Sequence, residues 1–367
     1  MGFCREARTA IFARPMELTD IPVPGFERLA RAVDPESGLQ AIICVHDTTL
    51  GPSLGGLRMW DYATEEEALF DVKRLARGMT YKSAVARTGL GGGKSVIIGK
   101  PATTKSEALY LAMGRFIEAF DGSYITAEDV NTSTADLEIV RRATRHVTGL
   151  SRDAGGCGDP SPFTAYGVFL GLREAVAWRR GKADLNGVRV AVQGVGSVGS
   201  GLVRHLVTAG AKVLIADRRQ DRVASLVDEL GVEGVAESEI LFADVDVLAP
   251  CALGAILDGD SIPQLRCEIV AGAANNVLLA PEHGKLLRDR DILYAPDYVI
   301  NAGGIIHIAV SLERGGYDEA ASNQRVERIP EALRELWSIA RAESIPASDA
   351  ADRLAENILA EARPGVR

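Results

Sequence analysis

Residues 188–193 (VRVAVQ) run directly into Gly194-Val195-Gly196-Ser197-Val198-Gly199, and Ser197 opens a segment of helical apolar periodicity that lasts to Ala209. Strand, glycine loop and helix in that order decide the fold of this half of the chain. The first glycine allows a tight turn, the second lets backbone approach a pyrophosphate, and the third lets helix pack on strand. Phosphate then sits at a helix N-terminus, where N–H groups point outward. Packing alone could use the same glycines, but Asp217 closes the next strand (212–217) near the offset of an acid that hydrogen-bonds adenosine ribose hydroxyls. Such a carboxylate repels a 2′-phosphate and favours NAD over NADP, although Arg218 or Arg219 beside it could receive that phosphate.

Working outward, residues 221–230 read as a helix, and apolar runs at 245–249, 269–273 and 292–295 as further strands. This alternation predicts a parallel sheet with helices on both faces. Two amphipathic helices follow from Ser322. Upstream, GLSRDAGGCGDPSP (149–162) has the composition of an interdomain loop, followed by a helix at 164–180. In the first region QAIICVH (40–46) reads as a buried strand. Thr64 with Glu67, and Thr104 with Glu107, make capping boxes that open two helices. A short strand at 123–126 delivers Glu128 and Asp129 at its C-terminal end. The expected fold class is α/β in two domains: an N-terminal α/β substrate domain (1–148), whose strand order stays open, and a Rossmann-like doubly wound dinucleotide-binding domain (149–344).

Two domains also follow from the length, since 367 residues exceed what one core usually supports, and 47% apolar residues suffice for two. With 41 basic against 50 acidic side chains the net charge is -9, which gives no electrostatic reason to bind nucleic acid or an anionic membrane. The basic runs at Arg141, Arg142 and Arg145 and at Arg179-Arg180-Gly181-Lys182 fall where helices should end, as the helix dipole favours. Cys4, Cys44, Cys157, Cys251 and Cys267 are odd in number and not spaced as metal ligands, so no metal site is expected and a reducing cytoplasm fits. The N-terminus Met1-Gly2-Phe3-Cys4-Arg5-Glu6 lacks a signal core or an acylation site, and no apolar run is long enough to span a membrane.

The chemistry-bearing residues are Gly91-Gly92-Gly93-Lys94, Lys82 in MTYK and Glu128-Asp129 in ITAED. Two ammonium groups and a carboxylate in one pocket suit a substrate that is an α-amino acid. One lysine can hold its carboxylate; a second, neutral through burial and a charged neighbour, can take a proton from the water that attacks the iminium left by hydride loss. Asp129 can shuttle protons to and from the nitrogen. Ordinary surface lysines are the bland alternative. Gly91–Ser95 also resembles the end of a phosphate-binding loop, but Thr88 stands where that motif requires glycine. A non-catalytic dinucleotide sensor should lack one of Lys82, Lys94 and Asp129, and all three are present.

The segments GPSLGGLRMW (51–60), RLARGMTYK (74–82), GLGGGKSVIIG (89–99), YITAEDVNT (124–132), VQGVGSVG (192–199), APCALG (249–254), VAGAANN (270–276) and YAPDYVINAGG (294–304) resemble, in order and over nearly the whole chain, the glutamate/leucine/phenylalanine/valine dehydrogenase superfamily, its leucine branch above all. The resemblance implies that Lys82 binds the substrate carboxylate, helped by backbone at Gly55 and Gly56, that Lys94 is the catalytic lysine and that Asp129 relays protons. It places Asn275 and Asn276 near nicotinamide and substrate, with Thr164, Cys251 and Ala252 at the cofactor. It also implies a final helix (345–367) that packs back on the substrate domain, and a cleft that opens and closes during turnover. Leu54, Ala127, Ile305 and Ile308 match the side-chain pocket; all are apolar, which argues against glutamate. Ile305 and Ile308 are bulkier than the valines of leucine dehydrogenases, and His307 followed by Ile308 resembles some phenylalanine-specific members. One methylene there changes discrimination by about 1–3 kcal/mol. The expected activity is NAD-dependent oxidative deamination of branched-chain L-amino acids, with a phenylalanine dehydrogenase as the alternative. The stretch before Ala30 is longer, and the one after Ala362 shorter, than in leucine dehydrogenases; a homo-oligomer is expected, a dimer rather than the family's larger assemblies.

Overall fold

The computed structural model describes residues 16–153, 156–313 and 315–363, and among these it carries two six-stranded sheets. Residues 1–6 with Cys4, Ala154 and Gly155 of the expected interdomain loop, and 364–367 of the expected final helix lie outside the described residues. By contacts the chain divides into two units, one comprising the described residues up to Thr48 with 52–77 and 93–147, the other 49–51, 78–92 and the residues from Thr148 onward.

The first sheet contains β1 (Glu17–Asp20), β2 (Arg28–Asp34), β3 (Leu39–Asp47), β4 (Ser53–Trp60), β5 (Gly91–Ile98) and β6 (Tyr124–Glu128), in the order β1-β2-β3-β5-β4-β6. Strands β1 to β3 are antiparallel; β4 and β6 are parallel, with Gly56 opposite Ala127. Its helices are α1 (Glu65–Val85), α2 (Glu107–Glu118) and α3 (Thr134–Arg141). Leu29, Ile42, Cys44 and Val96 of the sheet pack on Ala68, Val72 and Ala76 of α1. Burying a side chain such as Ile42 contributes roughly 1.5–3 kcal/mol.

Two caps differ from expectation. Thr64 Oγ1 does accept the Glu67 N–H at 3.2 Å, but the Glu67 carboxylate reaches back to the Ala63 N–H at 2.9 Å. The cap of α2 is Ser106, whose Oγ accepts the Leu109 N–H, while Thr104 closes a turn onto the Lys100 carbonyl. The glycine-rich stretches are not loops. SLGGLRMW is β4 and GGGKSVII is β5, buried along nearly its whole length, which removes the phosphate-loop alternative because the β5 backbone is committed to a sheet. Glycine is required there by close approach: a Cβ at Gly55 would stand 1.9 Å from the Gly93 carbonyl oxygen.

The second unit runs α4 (Ser161–Arg180), β7 (Arg189–Gln193), α5 (Ser197–Thr208), β8 (Lys212–Ala216), α6 (Gln220–Leu230), β9 (Glu233–Gly234), α7 (Glu237–Ile240), β10 (Val247–Pro250), β11 (Ile269–Val270), α8 (His283–Asp289), β12 (Leu293–Tyr294), α9 (Asp297–Ile300), α10 (Gly303–Ser311), α11 (Glu319–Val326), α12 (Ile329–Glu343) and α13 (Ala347–Ala362). Three helices, not two, close the chain. All neighbouring strands of the order β12-β11-β10-β7-β8-β9 are parallel. This is the doubly wound arrangement, and its strand order reverses between β7 and β10. Helix α13 packs on α12 and α8, and Glu356 on it accepts the Tyr81 hydroxyl at 2.9 Å. Contact grouping puts Tyr81 and α13 in the same unit.

Because no flexible side chain can yield at Gly55, Gly55→Ala must part β4 from β5. It is expected to destabilise the protein by about 1–3 kcal/mol, read as a lower urea midpoint at unchanged slope.

Candidate active site

Lys94 on β5 is 5% exposed, which excludes the surface-lysine alternative for this residue. Its Nζ donates to Asp129 Oδ2 at 2.6 Å. Asp129 follows β6, and its backbone N–H is fixed by Thr132 Oγ1, which itself donates to the Leu57 carbonyl. Alternation along β4 puts Leu54, Gly56 and Arg58 on one face. A Cβ at Gly56 would lie 2.6 Å from Asp129 Cβ and 3.1 Å from Lys94 Nζ, so only glycine leaves room for the pair. Burial pushes the Lys94 ammonium below the ordinary lysine value; Asp129 opposes the shift and Arg58 adds to it. Burial also opposes ionisation of Asp129, but Lys94 and Arg58 outweigh it and hold that carboxyl below the usual range. Glu128, by contrast, is exposed and accepts the Thr134 hydroxyl at 2.8 Å.

Leu54 and Ala127, buried on β4 and β6, belong to this first unit. Lys82, on the part of α1 that groups with the second unit, donates from Nζ to Asn301 Oδ1 at 2.6 Å. Asn301 Nδ2 in turn donates to Asn275 Oδ1 at 2.7 Å and to the Ala273 carbonyl at 3.0 Å. Asn276 has a left-handed backbone (φ 52°), and its carbonyl accepts the Ala255 N–H. Burial raises the Asp297 carboxyl above its usual range, against the Val277 and Tyr298 N–H groups and the Lys82 charge. Ile305 and Ile308 lie one turn apart on α10, whose start at Gly303 and Gly304 touches Phe163 and Thr164. His307, fully buried, instead stacks on Phe163 (centroids 4.0 Å apart) and meets the edge of Tyr317.

The glycine loop follows β7, at the point where the strand order reverses. Gly194 has φ 94°, and a Cβ there would lie 2.6 Å from Ala252 Cβ; one at Gly199 would lie 2.0 Å from the Gly194 carbonyl oxygen. At Gly196 the nearest atom is Arg222 Nη1 at 3.6 Å, so the second glycine alone faces open space. No side chain caps α5. The N-terminal N–H groups of that helix thus have the open, positive approach that a pyrophosphate fits. Asp217 Oδ2 accepts the Val195 N–H and Oδ1 the Arg219 N–H, each at 2.8 Å, which aims the carboxylate at the loop. The Cys251 N–H donates to the Gln193 carbonyl, setting Cys251 and Ala252 against the loop. Arg219 is paired with Asp221 at 2.7 Å, and Arg218 lies 3.8 Å from Glu237.

Residues 28–146 match the family described as Glu/Leu/Phe/Val dehydrogenase, dimerisation domain, and residues 155–232 and 214–364 match Glutamate/Leucine/Phenylalanine/Valine dehydrogenase. The chain belongs to this family. It is 50% identical over 331 residues to leucine dehydrogenase of Thermoactinomyces intermedius, covering 90% of each chain. It is 47% identical over 342 residues to valine dehydrogenase of Streptomyces virginiae, covering 92% of this chain and 95% of that one. The crystal structure of L-tryptophan dehydrogenase from Nostoc punctiforme superposes with a TM-score of 0.83 at 40% identity, over 92% of this chain and 97% of that one.

In this amino acid dehydrogenase the structure adds Arg58, Asp71, Asn301 and Thr132 to the residues that the sequence singles out. Arg58 was discoverable from strand alternation, two residues beyond Gly56; Asn301 carries no signal of its own. As Gly199→Ala must push the loop off its helix, it is expected to weaken NADH binding at least tenfold, read by NADH fluorescence, with melting temperature lowered by only a few degrees.

Proposed function

We propose that this dehydrogenase catalyses the NAD-dependent, reversible oxidative deamination of branched-chain aliphatic L-amino acids, leucine together with valine and isoleucine, to the 2-oxo acid, ammonia and NADH. The observation that carries the reading is the buried Lys94 against Asp129 in a chain that also holds an open dinucleotide cradle. When bound, the nicotinamide accepts a hydride from the substrate α-carbon. Lys82 holds the substrate carboxylate, with backbone at Gly55 and Gly56. Lys94, its proton loosened by burial, takes a proton from water as that water adds to the iminium carbon. Asp129 exchanges protons with the substrate nitrogen. Asn275, tied through Asn301 to Lys82, and Asn276 stand by the nicotinamide, and Thr164, Cys251 and Ala252 line the cofactor's bed. Val195, Ser197 and Val198 complete the phosphate loop. Asp217 supports NAD over NADP, since Arg219 is already engaged by Asp221.

Leu54 and Ala127 of the first unit, and Ile305 and Ile308 of the second, are the residues this reading assigns to the substrate side chain, and their apolar surfaces suit an aliphatic one. The leucine and valine dehydrogenases at 50% and 47% identity support the same choice. An aromatic substrate is the second reading, favoured by the structural likeness to a tryptophan dehydrogenase. The match of 28–146 to a dimerisation domain supports a homo-oligomer of at least two subunits, and the free described cysteines fit the cytoplasm.

NADH formation from a panel of L-amino acids, each with NAD or NADP at mildly alkaline pH, tests the reading. Turnover is expected to be best with leucine, valine or isoleucine and NAD; best turnover with phenylalanine or tryptophan installs the aromatic reading, and no turnover with any amino acid defeats both. Lys94→Ala is expected to lower kcat roughly a thousand-fold with NAD binding intact, and Lys82→Ala to act mainly on KM. With the Lys94 value depressed, kcat/KM should rise with pH through a group titrating below the ordinary lysine range, since the lysine is a base only once deprotonated.

A further inference from the structure

We propose that Arg58 is a positioning residue of this reaction: anchored on Asp71, it occupies one side of Asp129 Oδ2 and keeps the aspartate shared between two cations instead of closed on Lys94. The inference rests on the deamination reading above. Arg58 Nε donates to Asp129 Oδ2 at 3.0 Å, the same oxygen that accepts Lys94 Nζ at 2.6 Å. Its Nη1 donates to Asp71 Oδ2 at 2.9 Å, an oxygen that also accepts the Tyr62 hydroxyl at 2.7 Å, and Asp71 Oδ1 accepts Arg74 Nη2 at 3.0 Å. The charged and titratable groups that face the Lys94–Asp129 pair include Arg58 from β4, Tyr124 from β6, Asp71 and Arg74 from α1, and Tyr62 just ahead of α1.

The side chains of Arg58 and Asp71 are only 20% and 18% exposed. Charge-assisted bonds in such a place are directional and stronger than those of a surface pair. A guanidinium keeps its charge across the working pH range, so the group in this network that can lose its proton to do work is the lysine. Two cations on one carboxylate oxygen compete for it, and each weakens the other's hold. Without Arg58, Asp129 and an uncompensated Asp71 would both hold the proton on Lys94. Without Asp71, the full charge of Arg58 would face Asp129 and Lys94, and the lysine would release its proton more readily.

The pH dependence of kcat/KM for leucine oxidation with NAD tests this, because its acid limb reports the base in the free enzyme. Arg58→Gln is expected to move that limb about one pH unit toward alkaline pH, Arg58→Lys less, and Asp71→Asn toward acid pH. Opposite signs in Arg58→Gln and Asp71→Asn support the proposal; limbs that stay at the wild-type position, or that move in the same direction, overturn it. If circular dichroism shows Arg58→Gln unfolded, Arg58→Lys and Asp71→Asn carry the same comparison, and an unmoved or alkaline-shifted limb in Asp71→Asn overturns it. Failure of the wild type to turn over any amino acid overturns the deamination reading and this role with it, whereas wild-type turnover with unmoved limbs removes only Arg58.

Discussion

A buried ammonium is tolerated only beside a carboxylate, and the Lys94–Asp129 pair is the constraint to which the first sheet is built. In the order β5-β4-β6 the lysine comes from β5 and the aspartate from just past the end of β6, on either side of β4. Adjacent strands lie about 4.8 Å apart, so the two side chains must meet over the strand between them. They meet over Gly56, the position where any Cβ would strike both. Gly55 and Gly93 then let β4 and β5 close up beside the crossing. Removing Asp129 would leave Lys94 buried without its carboxylate, a loss of several kcal/mol in such a setting, whereas without Lys94 the aspartate still keeps Arg58 at 3.0 Å. The sheet stores this polar pair by surrounding it with buried backbone and with side chains as small as the fold allows.

The second unit builds its glycine loop chiefly from backbone. At the reversal between β7 and β10, backbone does the work: Gly194 turns the chain against Ala252, Gly199 lets α5 seat on the loop, and Gly196 is left facing open space. One carboxyl side chain takes part: Asp217 is held by two backbone N–H groups, one of them on the loop it serves. A binding site made of main chain is tolerant of what surrounds it. A site made of a buried ion pair is not, and this difference explains which half of the chemistry was easier to read.

The dinucleotide half was legible because its signals are local. Strand, glycine spacing, helix and acid all fall within 188–217, and the structure places β7, α5 and β8 within a residue or so of the expected bounds. The first sheet was legible in β3, an apolar run, and in β6, expected at 123–126 and found at Tyr124–Glu128. β4 and β5 carry glycines that local propensity assigns to turns. What overrides propensity there is strand approach, and that depends on which strands are neighbours, a non-local fact. Arg58 and Asp71 are 13 residues apart and Arg58 and Asp129 71 apart, so no window of sequence contains the network. Ser106 displaced Thr104 as the cap of α2 for the opposite reason: both are good cap residues, and the choice between neighbours is decided by where the chain leaves the preceding turn.

Leu54, Ala127, Ile305 and Ile308, the residues proposed to meet the substrate side chain, follow the same division between rigid backbone and adjustable side chains. Leu54 and Ala127 are fixed by neighbouring strands in parallel register, with no freedom beyond rotamers. Ile305 and Ile308 ride on α10, and the seat of that helix is set by Gly303, where a Cβ would stand 2.1 Å from the Phe163 carbonyl oxygen. His307 pins the same helix from another face through its stack on Phe163. Burial lowers the His307 value and keeps the ring neutral, so the pin is a matter of packing rather than charge. Where Ile305 and Ile308 stand is therefore decided by how α10 is seated as much as by the two isoleucines themselves.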